Sequence, residues 1–259
     1  MMKFTDPARE AAAATELKER GRITVPSRSS YFGIVDLAGF PKDRYYLYQA
    51  RWRPDLAMAH LVPHWTWPER VGQVTPVHVY TSGDEAELFL NGQSLGRKAK
   101  APGTYRIRWD DVKYAPGELR VVAYKHGAKW AEDVQRTAGP AAQLTLAADR
   151  STLRGDGAKG DSAGGQDLSF ITVRILDRSG QLVPRAANRI SFEVTGPGEI
   201  VATDNGDATS FESFQSKERN AFNGLALVIV RTKAGAAGAI TVRARADGLP
   251  PAETTLTAK

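Results

Sequence analysis

Near Leu61 the spacing of apolar residues along the chain changes from about 3.6 to 2, which predicts a helical start followed by strands. Upstream, Asp6 as N-cap, Pro7 at the first helical position and an Ala-rich run to Arg20, ended by Gly21, predict one weakly amphipathic helix. Its apolar face (Ala8, Ala11, Ala12, Ala14, Leu17) has little bulk to bury. A short apolar run, Tyr31-Phe32-Gly33-Ile34-Val35, follows, and Pro41 then opens a second helix through Trp52 that Arg53-Pro54 stops. Tyr45, Tyr46, Tyr48 and Trp52 cover more than one face of that helix, so it is built to be covered by something large.

Downstream, Val77–Tyr80, Ala86–Leu90, Tyr105–Trp109 and Leu119–Tyr124 are strand-length, largely alternating runs. Asn91-Gly92 is a type I′ hairpin signal, and Ala115-Pro116-Gly117 and Lys125-His126-Gly127 supply further turns. Residues 60–137 therefore read as an antiparallel sandwich of six or seven short strands, with Gly139-Pro140 as a linker. A second group of runs (Gln143–Ala147, Ser169–Leu176, Ile190–Val194, Glu199–Thr203, Leu225–Arg231, Ile240–Ala246, Glu253–Thr257) predicts another, interrupted by a Gly/Asp/Lys-rich loop from Arg154 to Gly165. The fold class expected is mainly β: two immunoglobulin-like antiparallel β-sandwiches preceded by a short helical segment. The divisions expected are 1–58, 59–138 and 139–259.

Composition narrows the chemistry. The 259 residues contain no cysteine, which removes disulfides, Cys-based zinc sites and a thiol nucleophile. No apolar stretch reaches the ~20 residues of a membrane helix, and the N-terminal residues show no signal-peptide pattern, so neither membrane nor compartment is indicated. The net charge is +6, but the basic residues are scattered. The densest run, Arg97, Lys98 and Lys100, suits a solvated hairpin edge better than a nucleic-acid surface.

Side chains that could carry chemistry are few. His60 and His64 stand four apart with Pro63 between them, which suits a structural pair better than a metal site. Asp110 and Asp111 point to opposite faces of a strand, and Glu85 with Glu87 marks a solvated face, so neither pair forms a glycosidase dyad. Asp204-Asn205-Gly206-Asp207 reads as an Asx-type turn rather than a calcium loop, and Arg154-Gly155-Asp156 as a chance tripeptide. His64-Trp65-Thr66-Trp67 is different, because two tryptophans two apart on a strand would share a face on which a sugar ring can stack.

Three groups of motifs resemble known proteins. Ser27 to Asp36, followed by Gly39-Phe40-Pro41-Lys42-Asp43-Arg44-Tyr45-Tyr46-Leu47-Tyr48-Gln49 and Trp52, resembles the end of the catalytic (β/α)8 barrel in bacterial family 2 glycoside hydrolases of the β-galactosidase type. His64-Trp65-Thr66-Trp67, Thr75 to Ser82 and Glu87 to Lys98 are similar to the β-sandwich that follows that barrel. Asp204-Asn205-Gly206-Asp207 and Ala221-Phe222-Asn223-Gly224-Leu225 resemble a later C-terminal sandwich.

The resemblance runs from about residue 26 to the end. It implies only the last barrel strand and helix, and a barrel closes only with eight strands. The family's acid/base Glu follows an Asn, and this chain has no Asn-Glu dipeptide, so no catalytic residue is carried over. The expected function is a non-catalytic, carbohydrate-associated accessory module that binds a galactoside-type or plant saccharide weakly through His64, Trp65, Trp67 and Tyr31, without metal or cofactor. The alternatives are a hydrolase with an unfamiliar or oligomer-completed site, and a purely structural module. Tyr31, Phe32, Phe40, Tyr45, Tyr46 and Trp52 are expected to pack on the first sandwich or to join two copies through segment 31–52. The family is often periplasmic or secreted, which the resemblance implies and the chain itself does not show.

Overall fold

The computed structural model describes residues 29–154 and 167–259. The helix predicted over 6–20 and nearly all of the Gly-rich loop lie outside them. Within them the chain is mainly β.

The first sandwich packs a three-stranded sheet, in the order β1 (Ala59–Val62), β2 (Val77–Thr81), β5 (Ile107–Trp109), on a four-stranded one. The second sheet runs β4 (Gln93–Ala99), β3 (Glu85–Leu90), β6 (Glu118–Lys125), β7 (Ala128–Arg136), and all pairs are antiparallel. Period-2 burial explains the pairing. Ala86 and Leu88 of β3 are inside while Glu85 and Glu87 stay partly exposed, and Leu61, Val79, Leu119 and Val121 fill the space between the sheets. Asn91 and Gly92 both take positive φ (50° and 82°), as the type I′ turn between β3 and β4 requires. His126 and Gly127 (51° and 81°) repeat that geometry between β6 and β7. Arg97 and Lys98 lie on β4, an exposed edge strand, where charge discourages pairing with another chain.

In the second sandwich one sheet runs β12 (Gly198–Asp204), β14 (Leu225–Thr232), β10 (Leu168–Leu176), β8 (Gln143–Ala148). It faces β13 (Glu218–Asn220), β11 (Arg189–Thr195), β15 (Gly238–Ala246), β16 (Ala252–Ala258), β9 (Thr152–Leu153). Ile171, Val173, Ile175, Val228, Ile190, Ile240, Val242 and Leu256 fill its core. The two shortest strands, β9 and β13, escape periodicity because two or three residues cannot show it. β9 also pairs parallel to β16, a departure from the all-antiparallel expectation.

A buried carboxylate ties down the junction. Asp177 takes hydrogen bonds from the Gly139 N–H (2.7 Å), the Ser179 N–H and Oγ (2.8 and 2.7 Å) and the Gln181 N–H (2.9 Å). Burial alone would raise its pKa, but these donors outweigh it and hold the carboxyl below the usual range.

The helix α1 (Asp43–Trp52) forms between Pro41 and the Arg53-Pro54 stop. Tyr46 lies flat on His60 of β1 (3.8 Å between ring centres, 17°), His60 Nε2 is 3.1 Å from Asp43 Oδ1, and Ala50, Leu47, Met58 and Tyr80 close a small apolar cluster. Residues 31–41 form a turn rather than a strand. The backbone turns on itself, joined by a bridge between Val35 and Pro41 and by Asp36 N–H to Phe40 O (3.0 Å).

This turn rests on the second sandwich. Gly206 adopts φ +76°, and a Cβ there would lie 2.0 Å from Asp36 Oδ2, so only glycine permits the approach. Replacing Gly206 with Ala is expected to displace the 34–41 turn and destabilise by more than about 1 kcal/mol. Hydrogen exchange should rise at 34–41 while β10 and β14 stay protected; unchanged exchange in the turn would refute the contact.

Candidate functional site

The cluster His64 to Trp67 lies just beyond β1 in an irregular connection, not on a strand, and its two tryptophans do not share a face. Trp65 is wholly buried, its ring tilted against Tyr114 (4.9 Å) and its Nε1 donating to Ala115 O at 3.0 Å. It has no surface to offer a sugar. Trp67 stacks on His64 (4.2 Å, 13°) and donates from Nε1 to His64 O at 2.7 Å. The Arg185 guanidinium from the second sandwich lies 5.9 Å from the Trp67 ring centre and pairs with Glu69 at 2.5 Å. The expectation that Trp65 and Trp67 form a shared sugar platform is therefore corrected. One is core, and the other sits with His64 at the joint between sandwiches.

Tyr31, the fourth candidate, is far from them in role, half-exposed on the turn below α1, with its carbonyl accepting from Lys42 Nζ at 3.4 Å. Nor do the aromatic residues of segment 31–52 all pack on the first sandwich. Tyr46 does, with Tyr45 edge-on against it (5.3 Å, 84°). Phe32 and Trp52, by contrast, are 79% and 68% exposed, and among the described residues the one aromatic ring that Trp52 meets is its neighbour one turn back, Tyr48 (4.8 Å).

Three of the carboxylates weighed from the sequence, Glu85, Glu87 and Asp110, are held by partners. Glu85 pairs with Arg97, Glu87 accepts from Ser94 Oγ at 2.6 Å, and Asp110 pairs with Arg108 at 2.7 Å. The Asp204 loop closes on its own backbone. Asp204 Oδ1 accepts from Asn205 N–H (2.7 Å), Asn205 Oδ1 from Asp207 N–H (3.0 Å), and Asp207 Oδ1 from Thr209 N–H (2.8 Å), which is Asx-turn geometry. Among the described residues no group of three or more His, Asp or Glu side chains could hold a metal ion.

Residues 144–255 match the profile of the glycoside hydrolase family 2 C-terminal domain 5, and residues 72–131 match a domain of unknown function (DUF4982). The chain carries the C-terminal domains of glycoside hydrolase family 2. It is 44% identical over 225 residues to the β-galactosidase BoGH2A of Bacteroides ovatus, which takes in 86% of this chain and 25% of that protein. A putative β-glucuronidase of Formosa agariphila is 38% identical over 68% of this chain and 16% of its own length. Among solved structures, a β-glycosidase from Bacteroides vulgatus superposes with a TM-score of 0.81 at 32% identity, covering 92% of this chain and 29% of that one. The chain thus spans between 16% and 29% of the length of these relatives.

His64 gives the joint a pH signature. Burial, with a contribution from the Arg185 guanidinium, holds its imidazole below the ordinary value of 6.5. The folded chain therefore binds this proton less readily than the unfolded chain, and the stability concerned is present above pH 6.5 and lost as pH falls below it. His64→Phe keeps a ring on Trp67 and removes the proton site. Its urea midpoint should fall less steeply than the parent's between pH 7 and pH 5, and parallel slopes would contradict the assignment.

Proposed function

We propose that this chain is the non-catalytic, carbohydrate-associated accessory end of a β-galactosidase-type enzyme. Its task is to hold segment 31–52 ready for the catalytic part of such an enzyme. The observation that carries this reading is a contrast within one segment. On its inner side the segment is anchored to both sandwiches, through Tyr46 on His60 and through Asp36 against Gly206. Away from those anchors Tyr31, Phe32, Val35, Tyr48 and Trp52 are all exposed. So much apolar surface on one short, anchored segment marks an interaction site rather than a solvated face. The likeness of residues 27–52 to the end of a catalytic barrel supports a barrel as the occupant, and the three-quarters of the β-galactosidase BoGH2A that lie outside the match leave room for one. β-Galactosidase-type chemistry would then belong to that occupant.

The test is apolar-dye binding with light scattering on the chain and on the double variant Tyr48→Ser/Trp52→Ser. The parent should be a monomer that binds dye. The variant should bind at least severalfold less with an unchanged unfolding midpoint, since Tyr48 and Trp52 contribute little to either core. Equal dye binding would refute the exposed seam. A parent dimer that binds no dye and splits into monomers in the variant would assign the face to self-association instead.

A further inference from the structure

The outer face of the β1-β2-β5 sheet is only half covered. α1 lies over its β1 side, where Tyr46 and Leu47 meet His60 and Tyr80. Beside Leu47 a cleft of about 460 Å³ remains, lined by Leu47, Tyr80, Thr104, Tyr105, Arg106 and Arg108. Strand alternation puts the two arginines there. Ile107 between them is 3% exposed and belongs to the core, so Arg106 and Arg108 point outward, and Arg108 lies opposite His78 in register.

Aromatic surface and unbalanced charge meet in this cleft. Tyr80 is buried beneath it, whereas Tyr105 is 61% exposed and free to meet a ring. Arg108 gives both Nε (3.0 Å) and Nη2 (2.7 Å) to Asp110 Oδ1 and so is already paired. Arg106 has no carboxylate partner among the described residues. Lys98 is not a second cation of the cleft, since its Nζ donates to Arg108 O at 2.9 Å and lies 5.2 Å over the buried Trp109 ring. Burial and then the Arg106 and Arg108 charges hold His78 below its ordinary pKa, which places both guanidiniums within electrostatic reach of the same patch of sheet.

We propose that this cleft binds a carboxylate-bearing sugar of an acidic saccharide, with the ring against Tyr105 and the carboxylate on Arg106. A guanidinium fork matches a carboxylate in a bidentate manner, and an aromatic face accepts the apolar side of a sugar ring. A neutral sugar would leave Arg106 unpaired and gains only the stacking. The inference deepens the carbohydrate-associated reading above and rests on it for the sugar. The charge requirement comes from the cleft alone.

Affinity electrophoresis of the chain in gels containing polygalacturonate, neutral galactan or sulfated galactan tests it, with three variants. Arg106→Ala and Tyr105→Ala remove the two contacts, and Arg178→Ala removes the same charge from the second sandwich. The expected result is retardation by polygalacturonate well above that by either galactan, weakened at least fivefold by Arg106→Ala or Tyr105→Ala and unchanged by Arg178→Ala. Absence of retardation by polygalacturonate overturns the site. Equal weakening by Arg106→Ala and Arg178→Ala overturns it in favour of bulk charge. Equal retardation by sulfated galactan overturns the carboxylate preference. The accessory role is read from dye binding and turnover rather than from saccharide binding, so its failure is separately visible.

Discussion

The stack of Tyr46 on His60 governs how the N-terminal part of this molecule is arranged. One helix of ten residues cannot hold itself together in water, so α1 takes its stability from the sheet it lies on. Fixing Tyr46 to β1 decides the rest of its surface by helical geometry. Ala50, four residues on, turns inward, whereas Tyr48 and Trp52, two and six residues away, turn to solvent. The same stack leaves the β5 side of the sheet open, and that is where the Tyr105 and Arg106 cleft lies. An apolar outer face and a basic cleft are thus two consequences of one contact.

The joint between the sandwiches works by different physics. Arg185 and Glu69 are each about half-exposed, and an ion pair of that kind contributes about 0–1 kcal/mol. Asp177 is 5% exposed and accepts from the linker N–H of Gly139 and from Ser179 and Gln181 in the second sandwich, so its loss would remove four hydrogen bonds to one buried carboxylate. Positional precision at the joint comes from the hydrogen bonds that converge on the buried Asp177 carboxylate rather than from the exposed salt bridge. Trp67, with His64 stacked against it and Arg185 nearby, shields that joint.

Much of the fold was legible because burial in a sandwich imposes period 2 on each strand. The runs at Ala86–Leu90, Leu119–Tyr124 and Ser169–Leu176 carry that period, and the Asn91-Gly92 turn carries its own chemistry. The tryptophan cluster was misread for a definable reason. Composition identifies Trp65 and Trp67 as large amphipathic surfaces, but only tertiary packing says whether such a surface faces the core, and Pro63 had already ended the strand that would have aligned them. The cleft residues were read only as a strand. The usable signal was Arg106-Ile107-Arg108 after Tyr105, two like charges on one face beside an aromatic ring, although Asp110's pairing with Arg108 alone appears only in three dimensions.

The central claim is that this chain supports carbohydrate chemistry without performing it. The most direct measurement is hydrolysis of aryl β-galactosides and aryl β-glucuronides by the chain purified away from host glycosidases, against a mock preparation. The account predicts no turnover above the mock at any pH between 5 and 8. Turnover that co-purifies with the chain and is lost on substituting one Asp or Glu would contradict it, and would place a working carboxylate pair among side chains assigned here to ion pairs and turns.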